Sequence, residues 1–486
     1  MSGKGNLLLD RHDIRELWWL GVRLWYNEQD FLAAMEIWKE AIESVEWNDD
    51  NDDSDVGALC SSSRLLHGSG EESLFLSGDA SFLAPLLLFL AGCYLDAGDI
   101  RTARTFSRRC LSTTFFLDSL IPGAESSDFA HQALSEYIAT FQEDKTNNSL
   151  ESWKTAYQIA AWAIETQKEQ QAKLEYNSNT QPPISTIWTD PYQRPGFLYP
   201  SLSSKAVYTR EEHPEWCKAL EDHYATIRDE YEQLIRGRQP SSSLLSASEA
   251  TTTIPRHWPR VGAGDHRDGA GQHDASVVLP GGDWREIVLF GSGARPDLAP
   301  KTCQILQKHA PEAVDLSREG AGEIIFSVLA PQTHIAPHCA STNLRLTAHL
   351  GLQVPDDCFI QVKDEKLSWQ EGKMLLFDDS YQHEVHNSSS LIRAVLLMRF
   401  WHPNLPVSQR STALQHVLDE KEADKMRRCN PPLPRQYRKD GSVIRHPQGM
   451  AERACPTCGR SGFETIRLLD PEDGIFSCLC GQEASL

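Results

Sequence analysis

The chain has 486 residues, with 47 lysines and arginines against 68 aspartates and glutamates, and its net charge of −21 excludes nucleic acid or an anionic membrane as the main partner, because such surfaces are met by clustered cations. The length allows two or three domains with separate cores, and 40% apolar residues is ordinary for a soluble globular protein. The longest apolar run, FLAPLLLFLAGCYL (82–95), is too short to span a bilayer and reads as a buried helix. MSGKGNLLLDRHDIRE at the start has no signal-peptide core, so the expected location is cytoplasmic, with the nucleus as the alternative.

Helices are expected first. LWWLGVRLWYNEQDFLAAMEIWKEAI (17–42) places Leu20, Gly21, Leu24, Ala34, Trp38 and Ala41 at helical spacing. LAGCYLDAGDIRTARTFSRRCL (90–111) repeats the arrangement with Leu90, Ala91, Tyr94, Gly98, Ile100, Ala103, Ser107 and Cys110. SWKTAYQIAAWAI (152–164) is a weaker third copy through Trp153, Ala156, Ala160 and Ala163. The pattern looks like tetratricopeptide repeats, where small residues let paired helices approach and large ones fill the groove between pairs. A plain helical bundle is the alternative. The acidic, Ser- and Gly-rich segment 47–73 reads as a solvated insertion. The stretch 238–274, rich in Ser, Thr, Gly, His and Asp, reads as a flexible loop.

From GEIIFSVLA (322–330) onward the pattern becomes that of strands. In LRLTAHLGL, Leu344, Leu346, Ala348 and Leu350 share one face, while Arg345, Thr347 and His349 share the other. CFIQVKDEKLSW, GKMLLFDDS and LIRAVLLMRFW follow between turn-like segments. Short strands at regular spacing predict a jelly roll or barrel with a polar interior. Across it the order runs His338, His383, Arg393. Two neutral imidazoles can hold Fe(II) and leave coordination positions open. A dicarboxylate can chelate there through one end while an arginine grips its far carboxylate by paired charge-assisted bonds. An iron site of this kind commonly has a carboxylate two residues after the first histidine; here that position is Ala340.

At the end of the chain, ACPTCGR and SCLCGQ place Cys455, Cys458, Cys478 and Cys480 in two close pairs with strand-like GFETIRLL between them. Thiolates so spaced suit tetrahedral Zn(II) in a structural role, and a module this small needs the metal for its fold. Redox or unpaired thiols are the alternative.

The segments PHCASTNLRLTAHLGL, GKMLLFDDSYQHEVHN and IRAVLLMRFWHPNL resemble the aspartyl/asparaginyl β-hydroxylase family of 2-oxoglutarate- and Fe(II)-dependent oxygenases. The likeness extends back through RPGFLYP, ALEDHYATIRDEYEQL, GDWREIVLFGSG, APKTCQIL and FSVLAPQTHIAPH, covering about 195–411. The resemblance implies an iron site without a carboxylate ligand. It implies His338 and His383 as ligands, and Arg393 with Ser327 on the distal carboxylate of 2-oxoglutarate. His349 would meet the chelating end, and Trp284 would line the site. His334 and His386 match no family role and read as loop residues. Asp378 and Asp379 either orient a ligating imidazole or cap a turn. Two departures stand out: Ala340 replaces a glycine of the animal enzymes, and Thr347 replaces an arginine beside the cosubstrate, for which Arg345 is the expected substitute.

The expected architecture is therefore α+β and multidomain. It comprises a helical tetratricopeptide-like domain (1–180), a double-stranded β-helix (jelly-roll) oxygenase domain (190–412) interrupted by 238–274, a linker (413–450) and a four-cysteine zinc-binding module (451–486). The expected activity is 2-oxoglutarate- and Fe(II)-dependent hydroxylation of a C–H on an Asp- or Asn-type residue in a peptide or protein, releasing succinate and CO2. A protein partner at the helical repeats is also expected. The alternative is an oxygenase-fold scaffold acting through protein–protein interaction.

Overall fold

The computed structural model describes residues 11–44, 83–118, 126–142, 152–165, 188–199, 202–236, 252–261 and 277–432, with short strands beyond them. They fall into two units, one comprising Met1–Asn147, Lys154–Ser185 and Ala423–Leu486, the other Asn148–Trp153 and Thr186–Glu422.

In the first unit the helices are α1 (Arg11–Arg23), α2 (Phe31–Glu43), α3 (Ala84–Asp96), α4 (Ile100–Asp118) and α5 (Ser126–Gln142); residues 152–165 are also helical (α6), and of these 154–165 belong to this unit. A π-helical turn, Leu24–Glu28, separates α1 from α2. Small residues mark the close approaches within this unit. A methyl group at Gly21 would collide with the indole of Trp38, whose Nε1 donates to Trp18 O at 3.0 Å. Gly98, at φ +79°, closes α3 in a conformation that side chains resist, and Asp99 Oδ1 then accepts from Thr102 N at 3.2 Å to start α4. Ala91, Ala103, Ser107 and Cys110 are fully buried. Further on, Ile466–Asp470, Ile475–Cys478 and Glu483–Ser485 form a three-stranded sheet. Cys455, Cys458 and Cys480 lie outside the described residues, and of Cys478 the backbone alone is described. Among the described residues no helix is long and apolar enough to cross a membrane.

The second unit is a two-sheet sandwich. Its strands are β1 (Val207–Tyr208), β2 (Trp284–Phe290), β3 (Ile324–Leu329), β4 (Thr333–His338), β5 (Arg345–Gln353), β6 (Cys358–Val362), β7 (Glu365–Leu367), β8 (Met374–Phe377), β9 (His383–Asn387) and β10 (Arg393–Trp401). The major sheet runs β1-β8-β5-β10-β3-β2 and the minor sheet β4-β9-β6-β7, with every paired neighbour antiparallel.

The expected period of two on β5 holds, but both faces are buried. Leu346, Ala348, Leu350 and Leu352 pack with Leu396, Met398 and Phe400 of β10 under helices α7 (Glu215–Asp222), α8 (Tyr224–Arg236), α9 (Pro300–His309) and α10 (Pro311–Arg318). The opposite faces meet the minor sheet through Ile325, Leu329, Val395, Leu397, Ile335, Ile360, Val385 and Trp369. A carboxylate fixes the helical layer: Glu230 on α8 accepts from Lys301 N at 3.0 Å and Thr302 N at 2.7 Å, satisfying the otherwise orphaned N–H groups at the start of α9.

Two expectations give way. Within 238–274, residues 252–261 enter the core, with Trp258 2% and Val261 1% exposed, and Val261 N donates to Trp284 O at 3.1 Å. The apolar Ile254, Trp258 and Val261 outweigh the polar composition around them. The start of the expected linker is also helical, in Val407–Cys429 (α11), which buries Ala413 and Val417 against Leu344, Trp401 and Leu405.

Candidate active site

β4 and β9 lie side by side so that His338 pairs with His383 across the ladder. The two rings are 4.1 Å apart at 50°. Each ring is oriented by the backbone: His338 Nδ1 is 2.8 Å from Ala336 O, and His383 Nδ1 is 2.9 Å from Tyr381 O. A carbonyl can only accept, so both Nδ1 atoms carry the proton and both Nε2 atoms carry the lone pair, the tautomer that ligates metal.

A chain of contacts leads inward from this pair. His383 meets Phe377 at 5.6 Å between ring centres, and Phe377 meets His349 at 5.1 Å. Trp369 Nε1 donates to His349 Nδ1 at 3.0 Å; His349 Nε2 therefore bears the proton and is a donor. The same indole lies 4.7 Å beneath the Arg393 guanidinium. Arg393 is 2% exposed, with the Cys358 thiol beside it. Burial pulls its pKa below the usual arginine value. Its Nε and Nη1 find no hydrogen-bond acceptor among the described residues. A buried guanidinium in that condition calls for an anionic ligand. Trp284 Nε1 donates to Ser327 Oγ at 2.9 Å, and Ser327 stands opposite Val395 in the β3–β10 ladder.

The structure thus brings His338, His383, His349 and Arg393 into one connected interior and joins Trp284 to Ser327. Trp369 and Cys358 were not singled out in the sequence. A tryptophan just past the end of a short strand carries no periodic signal, and its two contacts are visible only once β7 and β8 are placed.

The cation facing Thr347 is not Arg345, the expected substitute. Arg345 is buried and donates to Ala321 O, and burial, with Arg399 nearby, pushes its pKa down to about 9. The cation at that place is Arg399, directly across the ladder from Thr347. Asp379 Oδ2 accepts from Thr347 Oγ1 at 2.8 Å and lies 3.3 Å from Arg399 Nη2. Burial would raise the Asp379 pKa, but Arg399, Arg345 and His383 outweigh it and hold the carboxyl below its usual range. Asp378 takes the turn-capping role, with Oδ1 accepting from Ser380 N at 2.9 Å, and burial pushes its pKa up to about 7. Ala340 N donates to Asp379 O at 2.7 Å, tying the half-buried position two residues after the first histidine to the same turn.

A second metal-competent group sits on the same two strands. His334 and His386 are on β4 and β9, not in loops: β4 starts at Thr333 and β9 runs through Asn387, into the turn-like HNSSS segment. With Glu384 they form a two-histidine, one-carboxylate triad whose ligand atoms lie within 4.8 Å of one another. Such a set suits divalent transition metals, iron(II) included.

Residues 221–403 match the family model described as Aspartyl/Asparaginyl beta-hydroxylase. The human aspartyl/asparaginyl beta-hydroxylase is 42% identical over 134 residues, covering 26% of this chain and 17% of that protein. Human aspartate beta-hydroxylase domain-containing protein 2 is 27% identical over 225 residues, covering 44% of this chain and 52% of its own. The ornithine lipid ester-linked acyl 2-hydroxylase of Rhizobium tropici is 29% identical over 212 residues, covering 42% and 63%. The chain thus spans less than two thirds of each of these relatives.

Proposed function

We propose that this chain, whose residues 221–403 belong to the aspartyl/asparaginyl β-hydroxylase family of 2-oxoglutarate-dependent dioxygenases, hydroxylates a C–H bond on an Asp- or Asn-type residue of a peptide or protein. The observation that carries the reading is the contact chain from the His338–His383 pair through Phe377, His349 and Trp369 to Arg393. It offers two imidazole Nε2 ligands at one end and, at the other, a buried guanidinium whose Nε and Nη1 have no acceptor among the described residues, a donor set that fits iron(II) and a dicarboxylate.

His338 and His383 hold the metal, and their backbone-fixed Nδ1 protons keep both rings in the ligating tautomer. Arg393, with Ser327 held by Trp284, binds the distal carboxylate of 2-oxoglutarate. His349 donates from Nε2 to the chelating end, positioned by Trp369. Iron(II) with bound 2-oxoglutarate supplies oxygen activation, with succinate and CO2 as coproducts. Apolar packing by Phe377, Leu397 and Val395 excludes water and strengthens the charge contacts around the cosubstrate. The helical pairs of the first unit serve as tetratricopeptide-like partner sites, and Cys455, Cys458, Cys478 and Cys480 hold structural zinc.

Anaerobic addition of iron(II) and 2-oxoglutarate is expected to produce the visible charge-transfer band, and admitting oxygen to produce succinate. His338→Ala and His383→Ala should remove both signals. Absence of both from the wild-type chain overturns the reading. Mass spectrometry of cell-extract peptides, with and without the enzyme, should reveal Asp or Asn residues heavier by one oxygen atom.

A further inference from the structure

The minor sheet has a second face. Along β9, His383 and Val385 turn inward, so Glu384 and His386 turn outward, and His334 of β4 is the cross-strand partner of His386. His334 Nε2 and His386 Nε2 each lie 2.9 Å from the same atom, Glu384 Oε2. The two imidazoles stack at 3.7 Å and 26°. Phe359 of β6 lies against His386 at 4.6 Å and 14°, with Lys366 Nζ 3.7 Å from the centre of the phenyl ring. His386 is therefore held between two rings, and its rotamer is set before any ligand arrives. The side chains of His334 and His386 are 23% and 25% exposed, and that of Glu384 is 11% exposed. Solvent reaches the group, and added water ligands can reach it too.

We propose that His334, Glu384 and His386 form a second binding site for a divalent transition-metal ion of the zinc(II) class, separate from the reaction centre and on the opposite face of β4 and β9. A metal ion can use both Nε2 lone pairs and the Glu384 carboxylate together, and turns the stacked pair into a chelate. Nitrogen and oxygen donors in this number leave water to complete the coordination. The ion ties β4 to β9 from outside, behind the strands that carry His338 and His383. One ladder then bears an inner site and an outer one.

The test counts metal on the full chain. Protein stripped with a chelator is titrated with zinc(II) against a chromophoric competitor, and bound metal is measured by elemental analysis. His334→Gln and His386→Phe, the latter keeping the ring stack with Phe359, should each bind one equivalent less than wild type. Zinc should raise the wild-type melting temperature by several degrees more than that of either variant. Both variants should still form succinate from 2-oxoglutarate when iron(II) is supplied. Equal equivalents in wild type and variants mean a hydrogen-bonded triad only and overturn the proposal. Loss of succinate formation in both well-folded variants also overturns it, because the triad would then belong to the reaction centre. Zinc stoichiometry is read without turnover, so a chain inactive toward 2-oxoglutarate leaves this test intact.

Discussion

Arg399 and Thr347 face each other across β10 and β5, and both reach one oxygen of Asp379, Arg399 Nη2 at 3.3 Å and Thr347 Oγ1 at 2.8 Å. All three are about 2% exposed, so the charges are held away from water and depend on one another. Arg399→Met should therefore destabilise the fold by about 3–5 kcal/mol, the cost of stranding a buried carboxylate. Arg399→Met combined with Asp379→Asn should lose less than the sum of the two single changes, by roughly 1 kcal/mol or more. Urea unfolding of the four proteins in the cycle measures this coupling; strict additivity would disprove the dependence.

Arg393 predicts a binding effect. Replacing it with Lys keeps a charge but removes the planar fork that two carboxylate oxygens can share. Arg393→Met should cost on the order of 2–5 kcal/mol of 2-oxoglutarate binding, at least about thirtyfold in affinity, with Lys intermediate. Anaerobic calorimetry with manganese(II) in place of iron supplies the measurement, and affinity unchanged in the Met variant would remove Arg393 from the site.

Asp378 predicts an unusual pH dependence. Its folded pKa, about 7, lies above the ordinary carboxyl value of 3.8, so the folded state binds more protons than the unfolded one between those limits. Its contribution to stability is fully present below the lower value and is lost as pH rises toward 7. This is opposite in sign to a salt-bridged aspartate. Asp378→Asn should flatten that loss, and melting curves from pH 4 to 8 compare the slopes.

Trp258 predicts how much of 238–274 is structural. At 2% exposure within the main core, its replacement by Ala should cost about 3–5 kcal/mol. A surface-loop tryptophan would cost far less, so denaturant midpoints separate the two cases.

Much of the strand-rich half was legible because strand alternation is a local signal. The residues 344–350 sorted themselves onto two faces before any fold was known, and the spacing of His338, His383 and Arg393 along strands was enough to suggest a shared interior. What stayed hidden depends on pairing between distant segments. Arg345 and Arg399 both sit on inward-facing positions, and only the β5–β10 register shows that Arg399, not Arg345, stands opposite Thr347. The outer triad could have been read from the alternation in HEVHN, but its third member comes from β4, some fifty residues earlier in the chain. Trp258 and Val261 were masked by polar neighbours, since composition averages over a window while burial is decided residue by residue.

Trp369 touches both ends of the proposed cosubstrate cradle, as hydrogen-bond donor to His349 and as the surface under Arg393. One rigid indole thereby sets the gap between the donor and the cation. On the proposed reading, a diacid would have to span the distance between those two groups, and the indole would fix that span. Selectivity for chain length is then a property of a residue that need never touch the metal.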